Sequence, residues 1–174
     1  MLITFLFFKK ELHGVWDNSL VEKFIKKTPA KYNRPSSNRK LEAALGGESY
    51  DPYIRRIVLE HILGTWRREA DSLFTCDDAA STGSTHDAQT VMAGVDINPD
   101  GPVVCPYYWS RPIHQINCDI AWPPALDDDD DDELLELDTP EYAGTIEREL
   151  IIEKLLAQGG LRLAGILNYV FGQE

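Results

Sequence analysis

Apolar positions recur with helical period over most of the chain. From Asp17 to Lys27, Leu20, Val21, Phe24 and Ile25 fall on one helix face. Thr28-Pro29 closes that run, because proline disfavours helical backbone at the residue before it. A short helix is expected from Arg39 to Leu45, closed by Gly46-Gly47. Asp51-Pro52 reads as an N-cap followed by proline in the first turn. Behind it Ile54, Ile57, Val58, His61, Ile62, Thr65, Trp66 and Leu73 define one face of a long helix over 51–73. Cys105-Pro106 opens a further helix to about Cys118, with a kink expected at Pro112. Thr139-Pro140-Glu141 opens the last, whose apolar positions run from Ile146 through Leu150, Ile151, Leu155, Leu161, Leu163 and Leu167 to Val170. Gly159-Gly160 lies inside it, each glycine costing about 1 kcal/mol relative to alanine, so a bend is expected there. Only Leu2–Phe8, rich in aromatic and β-branched residues, reads as a strand. The pattern predicts a mainly helical, all-α fold with a short N-terminal strand lacking neighbours. The two long helices each need to bury an apolar stripe, so they are expected to pack together.

Two stretches break the pattern. Residues 77–104 carry Ser81-Thr82-Gly83-Ser84-Thr85 and Asn98-Pro99-Asp100-Gly101-Pro102, long for a connection in a compact domain, and read as an irregular insertion. His86 within it reads as a solvated loop residue. Residues 123–138 form an acidic loop around the run Asp127 to Asp132, extended by Glu133. A calcium loop spaces its carboxylates at alternating positions and includes a glycine; this run does neither, so it reads as a self-repelling solvated loop.

Length and charge narrow the picture further. With 174 residues and 43% hydrophobic content, the chain can bury a real core as one domain. Its net charge of −12 is unevenly spread: residues 1–60 hold 11 Lys/Arg against 7 Asp/Glu, whereas 61–174 hold 6 against 22. That excludes a nucleic-acid platform over the whole surface and leaves room for a local basic face near His13. Met1 to Phe8 is too short to span a bilayer and lacks the small-residue cleavage site of a signal peptide. Three cysteines, Cys76, Cys105 and Cys118, leave at least one without an internal partner. They read either as thiols of a reducing compartment or as those of a secreted chain. A Cys76–Cys105 disulfide would close the irregular segment at its base and leave Cys118 free. Such closure gains about 3–4 kcal/mol in the chain-entropy picture, and it requires Cα atoms within roughly 7 Å.

The candidate chemistry lies in Glu11-Leu12-His13-Gly14-Val15-Trp16-Asp17. If a helix starts at Gly14, His13 and Asp17 share a face one turn apart. An imidazole nitrogen and a carboxylate oxygen so placed can bind one divalent cation such as zinc, although zinc sites use three or four ligands. The same pair also reads as a helix-start histidine with an aspartate at the positive end of the helix dipole. His61, on an apolar face, reads as a packing histidine.

Three separated pieces resemble one family. Leu12-His13-Gly14-Val15-Trp16-Asp17 resembles the L-H-x-x-W-D signature of the zinc-dependent, single-strand-specific nucleases of fungi, plants and some bacteria, the nuclease S-one and P-one family. Trp109, followed nine residues later by Cys118, resembles the family's W-A-x-E-S-N-x-x-x-C helix. Gly159-Gly160-Leu161-Arg162-Leu163-Ala164-Gly165-Ile166-Leu167-Asn168 resembles its closing A-G-x-R-L-A-x-x-L-N. The resemblance covers essentially the whole chain but only the C-terminal half of the family's domain, so further ligands are expected upstream of Met1.

The resemblance implies an all-helical, phospholipase C-like fold with three zinc ions in a cleft, His13 and Asp17 among the ligands of one ion. It implies an endonuclease that hydrolyses phosphodiester bonds of single-stranded DNA and RNA, removes 3′-phosphates from nucleotides, and is secreted; a monomer is expected. Asn18 and Ser19 stand near the family's asparagine that contacts the reacting phosphate, Asn18 one residue early and Ser19 in its place. The usual Glu, Ser and Asn of the tryptophan helix are Pro112, Ile113 and His114 here. The family cysteine matching Cys118 pairs with one from the absent half. Trp16 reads as a packing residue behind the site. Two other readings compete: a phospholipase C-like zinc hydrolase, which should show an exposed apolar rim, and a non-catalytic helical interaction domain. With this partial ligand set the chain alone is expected to be a poor nuclease, its His13 and Asp17 pointing together into a groove.

Overall fold

The computed structural model describes residues 7–8, 12–73, 76, 104–122 and 135–172. Residues 77–103 and 123–134, which hold most of the insertion, His86 and the aspartate run, lie outside these. Among the described residues the chain is mainly helical: α1 (Leu12–Gly14), α2 (Val21–Lys27), α3 (Arg39–Ala44), α4 (Asp51–Arg56), α5 (Pro106–Ile116), α6 (Ala143–Arg148) and α7 (Ile151–Phe171). The N-terminal strand does have a neighbour. β1 (Phe7–Phe8) pairs antiparallel with β2 (Leu135–Glu136), Phe7 opposite Glu136 and Phe8 opposite Leu135.

Three helices open into wider, π-helical turns: Val15–Leu20 between α1 and α2, Ile57–Thr65 after α4, and Asn117–Ala121 after α5. The Trp66 amide reaches back five residues to the His61 carbonyl at 2.7 Å, and the Trp122 amide to Asn117 at 3.2 Å. Such turns are rare and recur at sites where a helix must re-aim its side chains. The helix expected over 51–73 is therefore α4 plus a wide turn, ending at Thr65. α5 runs through Pro112, in its interior, before widening.

The core is one cluster contributed by the first helical segment (Val15, Leu20, Phe24), α4 and its extension (Tyr53, Ile57), and the C-terminal elements (Leu137, Tyr142, Ala143, Ile146, Ile151, Ile152, Ala157). The last helix is not continuous. Leu150 takes left-handed backbone, φ 53°, and separates α6 from α7. The cause is the phase of the apolar residues. Ile146 and Ile151–Ile152 all enter the core, yet at 100° per residue an unbroken helix would place them on different faces. The break at Leu150 resets the phase, and α7 passes straight through Gly159-Gly160. The two long apolar stripes meet only over part of their length. The buried residues of α7 all lie between Ile151 and Ala157, while Leu163, Leu167 and Val170 stand exposed on its distal half.

Asp51 caps in the unexpected direction. It is buried, and its carboxylate accepts the amides of Gly47 (2.7 Å) and Glu48 (3.1 Å), the residues before it. That pins the turn at Gly47, whose φ of +85° suits glycine. Thr139 does cap forward, its hydroxyl accepting the Tyr142 amide at 3.1 Å.

Two polar devices lock segments together. The Trp16 indole N–H donates to the Tyr142 hydroxyl at 2.8 Å, which donates to the Ala121 carbonyl at 2.9 Å. The nearly buried Arg55 guanidinium donates through Nε to both Glu42 carboxylate oxygens at 3.0 Å and through Nη1 to the Tyr32 carbonyl at 3.1 Å. Glu42 also accepts the Ser36 amide and hydroxyl, both at 2.8 Å. These contacts, Arg55 foremost and then the Ser36 amide, hold Glu42 at about 2, below its ordinary 4.5.

Replacing Tyr142 by Phe leaves the indole N–H and the Ala121 carbonyl without partners, at an expected cost of about 1–3 kcal/mol, measurable by urea denaturation. For Glu42, folding lowers the pKa. Its stabilisation is therefore complete above 4.5 and is lost as pH falls toward 2. Glu42→Gln is expected to lower the melting temperature at neutral pH and to shrink the fall in melting temperature across that acid window.

Candidate metal site and its surroundings

His13 and Asp17 sit at the junction of α1 and the wide turn that follows. The helix begins at Leu12, two residues earlier than Gly14, so both side chains project from helical backbone. His13 Nε2 lies 3.0 Å from Asp17 Oδ2. The residues between them point the other way: Val15 is fully buried, and half-buried Trp16 packs against the core and bonds Tyr142. Backbone on one side and core on the other thus fix where the pair stands.

Among the described residues the pair stands open to solvent and not in a groove. The His13 side chain is 91% and that of Asp17 58% exposed. A groove of about 700 Å³ lies elsewhere, lined by Glu69, Tyr108, Arg111, Ile151, Lys154 and Arg162 among others. The reason is local. Val15 and Leu20 carry the apolar burial of this turn, and no described element rises beside the opposite face to wall it in.

As a fragment of a metal site the two donors fit. On a tetrahedral ion, two ligand atoms bonded at ~2.0–2.1 Å stand ~3.4 Å apart; the observed 3.0 Å is within a small side-chain rotation of that edge. As a complete site they do not suffice. Among the described residues no group of three or more His, Cys, Asp and Glu side chains could hold an ion. Asn18 is exposed and Ser19 half-buried on the same wide turn, adjacent to the pair along the backbone.

The other histidines lie in different settings. His61 is buried, stacked on Trp66 with ring centroids 4.7 Å apart and with Nδ1 3.3 Å from the Thr65 hydroxyl. Burial lowers its pKa below the usual 6.5. It is a neutral packing group. His114 is exposed on α5, its Nδ1 3.7 Å from the thiol of Cys118.

Cys76 and Cys105 form a disulfide, their Cα atoms 5.6 Å apart, and Cys118 is a free, exposed thiol. Of the pieces that carry the family resemblance, two touch directly and the first reaches the second through an intermediary. The Arg162 guanidinium lies over the Trp109 ring at 5.1 Å and donates through Nε to the Leu73 carbonyl at 3.1 Å. Trp16 reaches Ala121, just beyond Cys118, through Tyr142. Pattern reading did not find Tyr142 or the Arg55–Glu42 pair, because neither carries a periodic or motif signal. No described helix is long and apolar enough to cross a membrane.

Comparison of the chain with protein-family models, curated proteins and solved structures finds no match.

Because the pair is exposed, His13→Ala and Asp17→Ala are each expected to leave stability within about 0.5 kcal/mol of the parent. Trp16→Ala, which removes ring packing and the bond to Tyr142, is expected to cost about 3 kcal/mol or more. Thermal melts of the three variants check both.

Proposed function

We propose that this chain carries part of the catalytic centre of a zinc-dependent endonuclease that hydrolyses phosphodiester bonds in single-stranded DNA and RNA, with 3′-nucleotidase action on nucleotides. The observation that supports it is the convergence of His13 Nε2 and Asp17 Oδ2 at 3.0 Å on a well-anchored turn, within the motif that resembles the nuclease signature. The Cys76–Cys105 disulfide is compatible with an oxidising, secretory setting, and a secreted enzyme is part of the proposal.

His13 and Asp17 would hold one zinc ion as ligands. Bound zinc supplies a hydroxide near neutral pH, by lowering the pKa of coordinated water to about 7, and positive charge for the phosphate oxygens. The remaining donors of such a site come from outside the described residues. The chain's own contribution is positional. Trp16, held by Tyr142, fixes the backbone of the turn between the two proposed ligands, so that only their side chains would have to be ordered when metal binds. Exposed Asn18 and half-buried Ser19 stand next along that turn and are proposed as polar contacts for the phosphate.

Zinc titrated into the full chain is expected to shift the imidazole resonances of His13 and leave those of buried His61 unmoved. Cleavage of single-stranded DNA at mildly acidic and neutral pH is expected to be slow, zinc-dependent and absent in His13→Ala and Asp17→Ala. A His13 ring indifferent to zinc, or cleavage that survives both substitutions, overturns the assignment.

A further inference from the structure

Residues 26–41 contain six Lys/Arg and no Asp or Glu, in a chain of net charge −12. Two of the six are engaged: Lys26 with Glu22 at 3.2 Å and Lys27 with Glu147 at 2.5 Å. The other four, Lys31, Arg34, Arg39 and Lys40, are exposed, and among the described residues none has an acidic side chain within ion-pair distance.

The loop that carries them is a built frame. Arg55 reaches outward from α4 to hold the Tyr32 carbonyl and the Glu42 carboxylate. Glu42 in turn holds the backbone and hydroxyl of Ser36, the Ser36 hydroxyl accepts the Asn38 amide at 3.2 Å, and Asn38 caps Leu41 at 3.1 Å. Tyr32 is buried, its hydroxyl donating to Glu60, which also faces Arg56 at 3.6 Å. Both nearby carboxylates are thus consumed inside the frame. What remains outside is four cations on a backbone held in place, with Lys31 lying over the Tyr32 ring at 4.7 Å.

We propose that this loop, residues 31–40, is a docking surface for the phosphate backbone of single-stranded nucleic acid. Cations carried on a fixed backbone, with no acidic partner among the described residues, gain by releasing the counterions condensed on a polyanion, a term that needs no base recognition. The shape of the charge favours a strand over an anionic lipid surface. A flat anionic sheet must meet a wide face of a chain of net charge −12, whereas a thin strand can touch the loop alone. The choice of nucleic acid as occupant rests on the nuclease reading; the cationic frame does not.

The test is fluorescence anisotropy of a labelled oligothymidylate with the full chain in excess chelator, where zinc-dependent cleavage cannot occur. With about four phosphate contacts on a strand of about 20 nucleotides, affinity is expected to fall about 50-fold between about 50 and about 200 mM salt. The variant Lys31→Ala/Arg34→Ala/Arg39→Ala/Lys40→Ala is expected to lose that dependence, its log–log slope shrinking by about 3. Arg67→Ala/Arg68→Ala, which removes two exposed cations outside the loop, is expected to bind like the parent. A melt matching the parent's shows that the quadruple variant is folded; Arg34→Ala alone, with a slope reduced by about 0.7, serves if it is not. No binding by the parent, equal binding by the quadruple variant, or binding to phosphatidylserine vesicles in place of the oligonucleotide overturns the proposal. No binding by the parent with zinc-dependent cleavage intact refutes this surface alone, and salt-dependent binding by the parent with a His13 ring indifferent to zinc refutes the nuclease reading alone.

Discussion

One hydrogen-bonded relay, Trp16 to Tyr142 to the Ala121 carbonyl, joins three segments that chain connectivity leaves far apart. Trp16 and Tyr142 are separated by 126 residues in sequence. Around the relay the first helical segment, the wide turn after α5 and the start of α6 share one core. Each polar end is satisfied, so the aromatic rings can be enclosed without the penalty of an orphaned donor. The residue next to Trp16 is Asp17. The placement of the candidate ligands therefore depends on a contact with the C-terminal part of the chain, so a change to that part of the core moves the site, whereas the exposed ligand side chains can be altered without touching the core.

Helix type and approximate position were legible because helical periodicity is strong in residues 17–27, 51–65 and 143–171. The interruptions were not. Gly159-Gly160 looked like the weak point of the last helix, yet the break fell at Leu150, which has no local signal for left-handed backbone. There the requirement to bury Ile146 together with Ile151 and Ile152 overrode propensity, a tertiary effect invisible to a local window. Asp51 was read as a cap for the residues after it, and its carboxylate instead serves the two glycine-turn amides before it. The β1–β2 pairing joins residues too distant for any local pattern to announce.

The candidate site was legible to a similar depth. The four-residue spacing was enough to bring His13 and Asp17 together, because helical geometry alone guarantees it. The surroundings were not, since exposure depends on which elements rise nearby. The contrast with His61 is instructive. Both histidines lie on helical segments, yet one is stacked on Trp66 and desolvated while the other is open to solvent. The same distinction separates the cations of the basic loop from Arg55, which burial and three acceptors turn into a structural strut.

The Cys76–Cys105 bond spans 29 residues of sequence and makes that part of the chain a covalent ring. α4 and its extension attach to one side of the ring closure, and α5 to the other. A protease that cut anywhere between the two cysteines would open the ring without separating the protein. The two polypeptides would migrate as a single species until a reductant was added, and both would still be held to the shared core. Cleavage there is thus a change of connectivity that adds only one water to the mass, and on a gel it is read by comparing reduced with unreduced protein.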